Sequence, residues 1–322
     1  GKFASEDGRC LIVDGVLNSF APADITSYVI PNSVTEIGDY AFYSCGNLKS
    51  VTVPNSVTKI GKNAFYQCSN ITNITIPDSV TEIGSWAFAH CRSLSSVTIP
   101  DSVSVIDEYV FYQCSSLTSI TIPDSVTTIG DNAFEYCKQL TTVKMSDGLT
   151  TLDDNPFFGC ISLKEFTGIY AADGGRCVIK DNTIIAYASA SGDEYVVPEG
   201  IIKIGNYAFG GSNITKVTIP NGVTSIGVGA FMSCDNLTSI TIPSSVTSIG
   251  RQAFDFSDNL ASIYCKATTP PTCSGSQFSD IASGFKIYVP AESVSAYKAA
   301  AYWKNKADAI VGYDFENGVV VE

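Results

Sequence analysis

ITIPDSVTTIGDNAFEYCKQLTT, residues 120–142, decides the fold, because the same pattern recurs through most of the 322-residue chain. Its proline, phenylalanine and cysteine each return every 23 residues. The three columns are Pro31, Pro54, Pro77, Pro100 and Pro123; Phe42, Phe65, Phe88, Phe111, Phe134 and Phe157; and Cys45, Cys68, Cys91, Cys114, Cys137 and Cys160. A fixed period of this length predicts a solenoid, in which each coil covers the open core of its neighbour.

Three segments follow one another within a coil. Residues 117–122 alternate apolar and polar at the period of a strand, and Pro123 ends that strand because it has no N–H to donate. Residues 126–130 form a second, short extended piece. The apolar spacing of residues 132–138 predicts about one helical turn that points Phe134 and Cys137 inward.

The repeats are interrupted once, and the interruption resembles the beginning of the chain. Asp14-Gly15 lies between two apolar runs and predicts a β-hairpin, and DGGRCVIK (173–180) echoes EDGRCLIV (6–13). Pro290 followed by an alanine-rich run predicts a helix over residues 291–310. The predicted segments are a hairpin unit (1–27), six repeats (28–165), a second hairpin unit (166–194), three repeats (195–262) and a C-terminal cap (263–322).

The net charge of −13, from 32 acids and 19 bases, argues against nucleic acid and anionic membranes as partners. No apolar stretch approaches the ~20 residues that a membrane-spanning helix needs. Seven of the eleven cysteines share one position of the repeat, where we expect buried, reduced thiols that act as small apolar fillers. The sequence does not decide whether a disulfide bridge joins Cys265 and Cys273.

No residue pattern in the chain is typical of catalysis. The only histidine, His90, occupies a variable position that we expect to face solvent, and Asp107, Asp153 and Asp154 are interpreted as solvated turn residues. Nucleophile, phosphate-loop and metal-ligand motifs are missing. The sequence therefore predicts a protein that is not an enzyme and that has no cofactor and no metal site.

Residues 117–122 match the core pattern L-x-x-L-x-L of leucine-rich repeats. The fuller form, IPxSVTxIGxxAFxxC, resembles the BspA-like (Treponema pallidum-type) leucine-rich repeats, although Ser125 stands where asparagine is common. The segment 287–303 resembles the C-terminal caps of such proteins in anaerobic gut bacteria. The resemblance implies a leucine-rich repeat solenoid, an extracellular or cell-surface location, and adhesion to proteins or glycans of host or neighbouring cells.

Two surfaces are candidates for binding. The first, named the strand face, is a nearly uncharged hydroxyl ladder expected on the concave side: Thr75, Thr98, Thr118, Thr121 and Thr141. The second, named the aromatic row, flanks the third segment of the coils: Tyr40, Tyr43, Tyr66, Trp86, Tyr109, Tyr112 and Tyr136. The threonines also suit solubility and strand propensity, and the rings also suit packing on one another. A structural spacer and a carbohydrate-binding or carbohydrate-processing accessory domain remain alternatives.

Overall fold

The computed structural model describes residues 4–321, which form two compact units that meet in sequence at Gly175 and Arg176. Both units are built from stacked coils of about 23 residues, and the predicted leucine-rich repeat solenoid is confirmed. The division falls inside the segment 166–194, where the sequence pattern is interrupted.

Unit 1 begins with the predicted hairpin, in which β1 (Cys10–Val13) pairs antiparallel with β2 (Val16–Phe20). Its other strands pair in parallel, each with its equivalent one coil later, in the ladders β2-β4-β6-β8, β3-β5-β7-β9, β10-β12-β14 and β11-β13-β15. These strands are β3 (Ser27–Val29), β4 (Glu36–Ile37), β5 (Ser50–Thr52), β6 (Lys59–Ile60), β7 (Asn73–Thr75), β8 (Glu82–Ile83), β9 (Ser96–Thr98), β10 (Val105–Ile106), β11 (Ser119–Thr121), β12 (Thr128–Ile129), β13 (Thr142–Lys144), β14 (Thr151–Leu152) and β15 (Glu165–Thr167). A further short strand, β16 (Ala171–Ala172), is not part of these four ladders.

Unit 2 begins in the same way, with β17 (Cys177–Lys180) antiparallel to β18 (Thr183–Tyr187). Two ladders follow, β18-β20-β22-β24-β26 and β19-β21-β23-β25-β27-β28-β29. Their strands are β19 (Glu194–Val196), β20 (Lys203–Ile204), β21 (Lys216–Thr218), β22 (Ser225–Ile226), β23 (Ser239–Ile242), β24 (Ser248–Ile249), β25 (Ser262–Cys265), β26 (Thr272–Cys273), β27 (Lys286–Pro290), β28 (Ile310–Asp314) and β29 (Val319–Val321). The cap adds one α-helix, α1 (Val294–Ala299), and 3₁₀ helices at Ala291–Ser293 and Trp303–Ala309.

The third segment of each coil is a run of turns, so the predicted helical turn is wrong. Tyr40 and Ser44, two residues either side of Phe42, have φ angles of 59° and 58°, a left-handed conformation that breaks a helix. The N–H groups of residues 40, 42 and 44 donate to the next coil, and those of residues 41, 43 and 45 donate to the carbonyl three residues earlier. Asn132 and Tyr136 repeat this geometry around Phe134.

The core is a stack of phenylalanine rings in each unit. In unit 1 the rings from Phe42 to Phe157 stack with successive centroid distances of 4.9, 5.4, 5.6, 5.4 and 5.5 Å. In unit 2 Phe209, Phe231 and Phe254 stack at 5.1 and 5.7 Å. The aliphatic positions of both strands close the core around this stack. Each coil therefore buries its phenylalanine only because a neighbouring coil covers it.

All eleven cysteines are free, and no bridge joins Cys265 to Cys273. The thiols of the column do more than fill space. Cys114 Sγ donates to the carbonyl of Phe88 at 3.2 Å, and Ser257, in the same position of unit 2, donates through its hydroxyl to the carbonyl of Phe231 at 2.9 Å. Burial raises the pKa of the Cys91 thiol to about 12. Six of the seven thiols of the column, all except that of Cys45, thus donate to a carbonyl of the preceding coil and tie the two coils together.

The cap begins with a further coil that the sequence pattern did not reveal. β25 and β26 extend the two ladders of unit 2, and Phe278 stacks on Phe254 at 5.9 Å. This coil lacks the repeat proline and spaces its phenylalanine one residue late, which hides it in the sequence. The helix predicted over 291–310 is interrupted, because Tyr302 has a φ of 65°.

Candidate functional site

The aromatic row lies on the turn segments of unit 1 and forms one continuous set of ring contacts. Its members occupy the positions two before, one after and two after the core phenylalanine of each coil. Tyr43 stacks on Tyr66 at 5.1 Å, with the ring planes 6° apart, and Trp86 stacks on Tyr109 at 4.0 Å, with the planes 13° apart. The structure therefore brings together all seven residues that the sequence pattern assigned to this surface.

Edge-to-face contacts join the stacked pairs. Tyr112 meets Trp86 at 5.5 Å and Tyr109 at 5.6 Å, and it reaches Tyr136 at 6.1 Å. Phe158 extends the row by a further contact with Tyr136 at 5.4 Å. Phe158 directly follows the core phenylalanine of its coil, the position that Tyr43, Tyr66 and Tyr112 hold in theirs. This shared position could have identified Phe158 from the sequence.

His90 belongs to this row, and the prediction that it faces solvent is wrong. Its ring is half-buried, with the rings of Tyr66 and Tyr112 packed edge-on at 5.0 and 5.2 Å. Burial, and then the nearby Arg92 charge, lower the pKa of His90 below its ordinary value. The histidine is therefore a neutral ring at physiological pH.

Exposure along the row is uneven. Tyr40 and Tyr43 keep 53% and 47% of their surface in solvent, whereas Tyr66, Trp86 and Tyr109 are half-buried. Stacking covers ring faces, so much of what the row presents is edge and phenolic oxygen. Such amphipathic rings are enriched at the centres of protein interfaces, since they bury large areas with little loss of side-chain entropy.

The strand face divides into two columns of different character. Thr75, Thr98 and Thr121 end successive strands and are exposed. Thr118 and Thr141 lie before the strands, and their hydroxyls donate to the carbonyls of residues 95 and 118, at 3.4 and 3.0 Å. These two hydroxyls already link neighbouring coils and are less available for a ligand.

Unit 2 carries aromatic residues on the equivalent of the strand face, which the two predicted surfaces do not include. Tyr264 stacks on Tyr288 at 4.7 Å, and Tyr313 lies 5.3 Å from both. Tyr264 takes the strand position that Thr75 holds in unit 1. The signal was available in the spacing Ile263-x-Cys265, which keeps the strand pattern of the repeat.

The described residues offer no arrangement typical of catalysis. Between residues 4 and 321 no three histidine, cysteine, aspartate or glutamate side chains come together as metal ligands. Asp107, Asp153 and Asp154 are exposed, as expected for turn residues. Burial raises the pKa of Glu135 to about 7, but this carboxyl lies in the turn segment and not in a cleft with a nucleophile. In the same part of the chain, no helix is long and apolar enough to cross a bilayer.

Comparison with known families gives a match over most of the chain. A profile of the BspA type leucine rich repeat region matches residues 17–103, 58–170 and 184–306, in six copies. A search of curated proteins finds no match.

Solved structures of bacterial repeat proteins are similar to this chain. A leucine-rich repeat protein from Eubacterium ventriosum is 26% identical, with a TM-score of 0.64, over 86% of this chain and 74% of that one. A leucine rich cell surface protein from Faecalibacterium prausnitzii is 23% identical, with a TM-score of 0.54, over 92% of this chain and 90% of that one. A Treponema pallidum leucine rich repeat protein is 34% identical over 52% of this chain and 80% of that one, with a TM-score of 0.47.

Proposed function

Because this chain belongs to the BspA-type leucine-rich repeat proteins, we propose that it is a non-catalytic, cell-surface module that binds another protein through the aromatic row of unit 1. The observation that carries the proposal is the continuity of the row, in which ring contacts run from Tyr40 to Phe158 while Tyr40 and Tyr43 stay about half in solvent. Exposed aromatic clusters are typical of interaction sites.

The row suits a protein better than a glycan. Sugars bind aromatic side chains by lying on an open ring face, and stacking of Tyr43 on Tyr66 and of Trp86 on Tyr109 covers those faces. Tyrosine edges and hydroxyls instead match the mixed polar and apolar surface of a protein partner. The Faecalibacterium prausnitzii relative is a cell surface protein, which supports a surface location.

The repeats themselves provide the substitutions that test this proposal. Asn63 and Asn132 occupy the position of Tyr40, and Ala89 occupies that of Tyr43, so the backbone accepts Tyr40→Asn and Tyr43→Ala. The matched control is Thr98→Ala with Thr121→Ala on the strand face. Binding is measured by biolayer interferometry against purified host matrix proteins and bacterial surface proteins, with a glycan array in parallel.

We expect the wild type to bind at least one protein, and the Tyr40/Tyr43 variant to lose about tenfold or more in affinity, as at an interface hot spot. The Thr98/Thr121 variant should bind as the wild type does. Loss of binding in the threonine variant alone would transfer the site to the strand face. Binding to glycans alone would overturn the choice of partner, and a wild type that binds nothing would favour the spacer function.

A further inference from the structure

A shallow depression of about 430 Å³ borders the aromatic row, and basic and neutral side chains line it. Its lining residues are Arg92, Gln113, Ser115, Tyr136 and Lys138. They come from two adjacent columns of coils three to five, one ending in Tyr136 and the other running from Arg92 through Ser115 to Lys138. No carboxylate lines the depression.

We propose that this depression, named the basic depression, binds the carboxylates of an acidic segment of the partner protein. Arg92 and Lys138 are both exposed, and within residues 4–321 neither forms an ion pair. Lys59 and Lys216, by contrast, are paired with Glu82 and Glu194 of neighbouring coils. A chain with a net charge of −13 thus leaves two cations free beside one concave surface.

Hydrogen bonds hold the floor of the basic depression in place. The guanidinium of Arg92 donates to Gln113 Oε1 at 3.4 Å, and Gln113 Nε2 donates to the hydroxyl of Tyr112 at 3.2 Å. Ser115 Oγ donates to the carbonyl of Arg92 at 3.3 Å. One guanidinium nitrogen is therefore oriented by the protein, and the remaining donors of Arg92 are available for an acidic ligand.

The spacing of the two cations matches an extended acidic chain. Equivalent residues of successive coils lie ~4.8 Å apart, so the backbones of Arg92 and Lys138, two coils apart, are separated by roughly 10 Å. Carboxylates two or three residues apart on an extended chain are ~7–10 Å apart. Two acidic side chains can therefore meet the two cations at once while flanking residues reach Tyr136 and the rest of the row.

The inference rests on the proposed function only in assigning the acidic segment to a protein, so a separate probe tests it. Fluorescein-labelled octaglutamate is titrated with the full chain at about 20 mM salt, with octaglutamine as the uncharged probe, and anisotropy is recorded. The test variant is Arg92→Gln with Lys138→Gln. The control, Lys49→Gln with Lys164→Gln, removes two exposed lysines of unit 1 outside the basic depression.

We expect octaglutamate to bind the wild type, with affinity that falls as salt is raised, and octaglutamine not to bind. The Arg92/Lys138 variant should lose about tenfold or more, whereas the Lys49/Lys164 and Tyr40/Tyr43 variants should keep the wild-type affinity. Equal losses of octaglutamate affinity in the Arg92/Lys138 and Lys49/Lys164 variants would overturn the proposal, because overall charge would then explain binding. Binding to a chondroitin sulfate oligosaccharide without binding to octaglutamate would overturn it as well.

The outcome is separable from that of the proposed function. Failure of the aromatic variants to alter partner binding leaves the octaglutamate result intact. Failure of octaglutamate to bind leaves the test of the row unaffected. Circular dichroism of each variant should match that of the wild type, since none of the substituted side chains is buried.

Discussion

The two units share one core and differ at the turn positions that carry the aromatic row. Phenylalanine stacks run through both. At the positions flanking these phenylalanines, unit 1 holds rings that contact one another from coil to coil. Unit 2 holds only two rings there, Tyr207 and Phe256, and the coil between them carries Gly229, Met232 and Ser233 instead. The coil closes in either case, so stacking of the coils does not require the row. The phenylalanines are therefore required by the fold, whereas the surrounding aromatic residues are not and can be used for binding.

The largest effects should come from the shared core. Phe111→Ala in unit 1 and Phe231→Ala in unit 2 each remove a fully buried ring between two others, and each should lower the free energy of unfolding by ~3–5 kcal/mol. Denaturant titration measures both. A small loss in one unit alone would break the claim that the two cores are equivalent.

Glycine under the row should be the next most sensitive position. A Cβ at Gly159 would clash with the ring of Tyr136, and the φ of Gly159 is +72°. We expect Gly159→Ala to destabilise by ~1–3 kcal/mol through overpacking and strain. Adding Tyr136→Gln, the residue that Gln113 supplies in the preceding coil, should recover part of the loss. Gly222→Ala, which meets only one atom at 3.8 Å, is the control and should change stability little.

Glu135 interrupts the row with a carboxyl, and its effect should depend on pH. Burial raises its pKa from 4.5 to about 7, so the native state favours the protonated form. Its contribution to stability is present below pH 4.5 and is lost as pH rises through 7. Glu135→Gln should therefore raise stability by about 1 kcal/mol at pH 8, allowing for partial solvent screening, and change little at pH 4. Thermal melts at both pH values decide this.

The cysteine column should give the smallest effect. The carbonyl of Phe88 accepts from Cys91 N–H as well as from Cys114 Sγ, so loss of the thiol does not orphan it. We expect Cys114→Ala to cost about 1 kcal/mol and Cys114→Ser to cost less, because Ser257 makes the same bond. Denaturant titrations of the two variants measure the difference. A serine variant less stable than the alanine variant would contradict this.

The thiols also respond to alkali. Burial raises the pKa of Cys91 and Cys234 from 9.0 to about 12. The stabilising contribution of these two protonated thiols should therefore be complete below pH 9, and the free energy of unfolding should fall as the pH rises from 9 towards 12.

The sequence predicted the strands, the phenylalanine stack and both hairpins because these depend on side-chain periodicity. It did not predict the turn segments. The apolar residues of that segment, such as Ala133, Phe134 and Cys137, point inward whether the backbone forms a helical turn or these turns, so their spacing does not distinguish the two. Asn63, Asn132, Gly159 and Gly229 occupy the left-handed positions and were the available signal. The coil at residues 263–285 was missed because one added residue and an absent proline remove the period. The repeat positions placed the seven rings next to one another, and their binding role stays a prediction. The place of His90 among them depends on contacts between coils.

Each unit contains a hairpin of the same build ahead of its coils: β2 pairs antiparallel with β1 and parallel with β4, and β18 does the same with β17 and β20. A thiol–phenol pair is repeated with it, Cys10 with Tyr28 and Cys177 with Tyr195, both at 3.0 Å. Because the same hairpin and the same thiol–phenol pair precede both arrays of coils, the two arrays can differ in their number of coils while they begin alike.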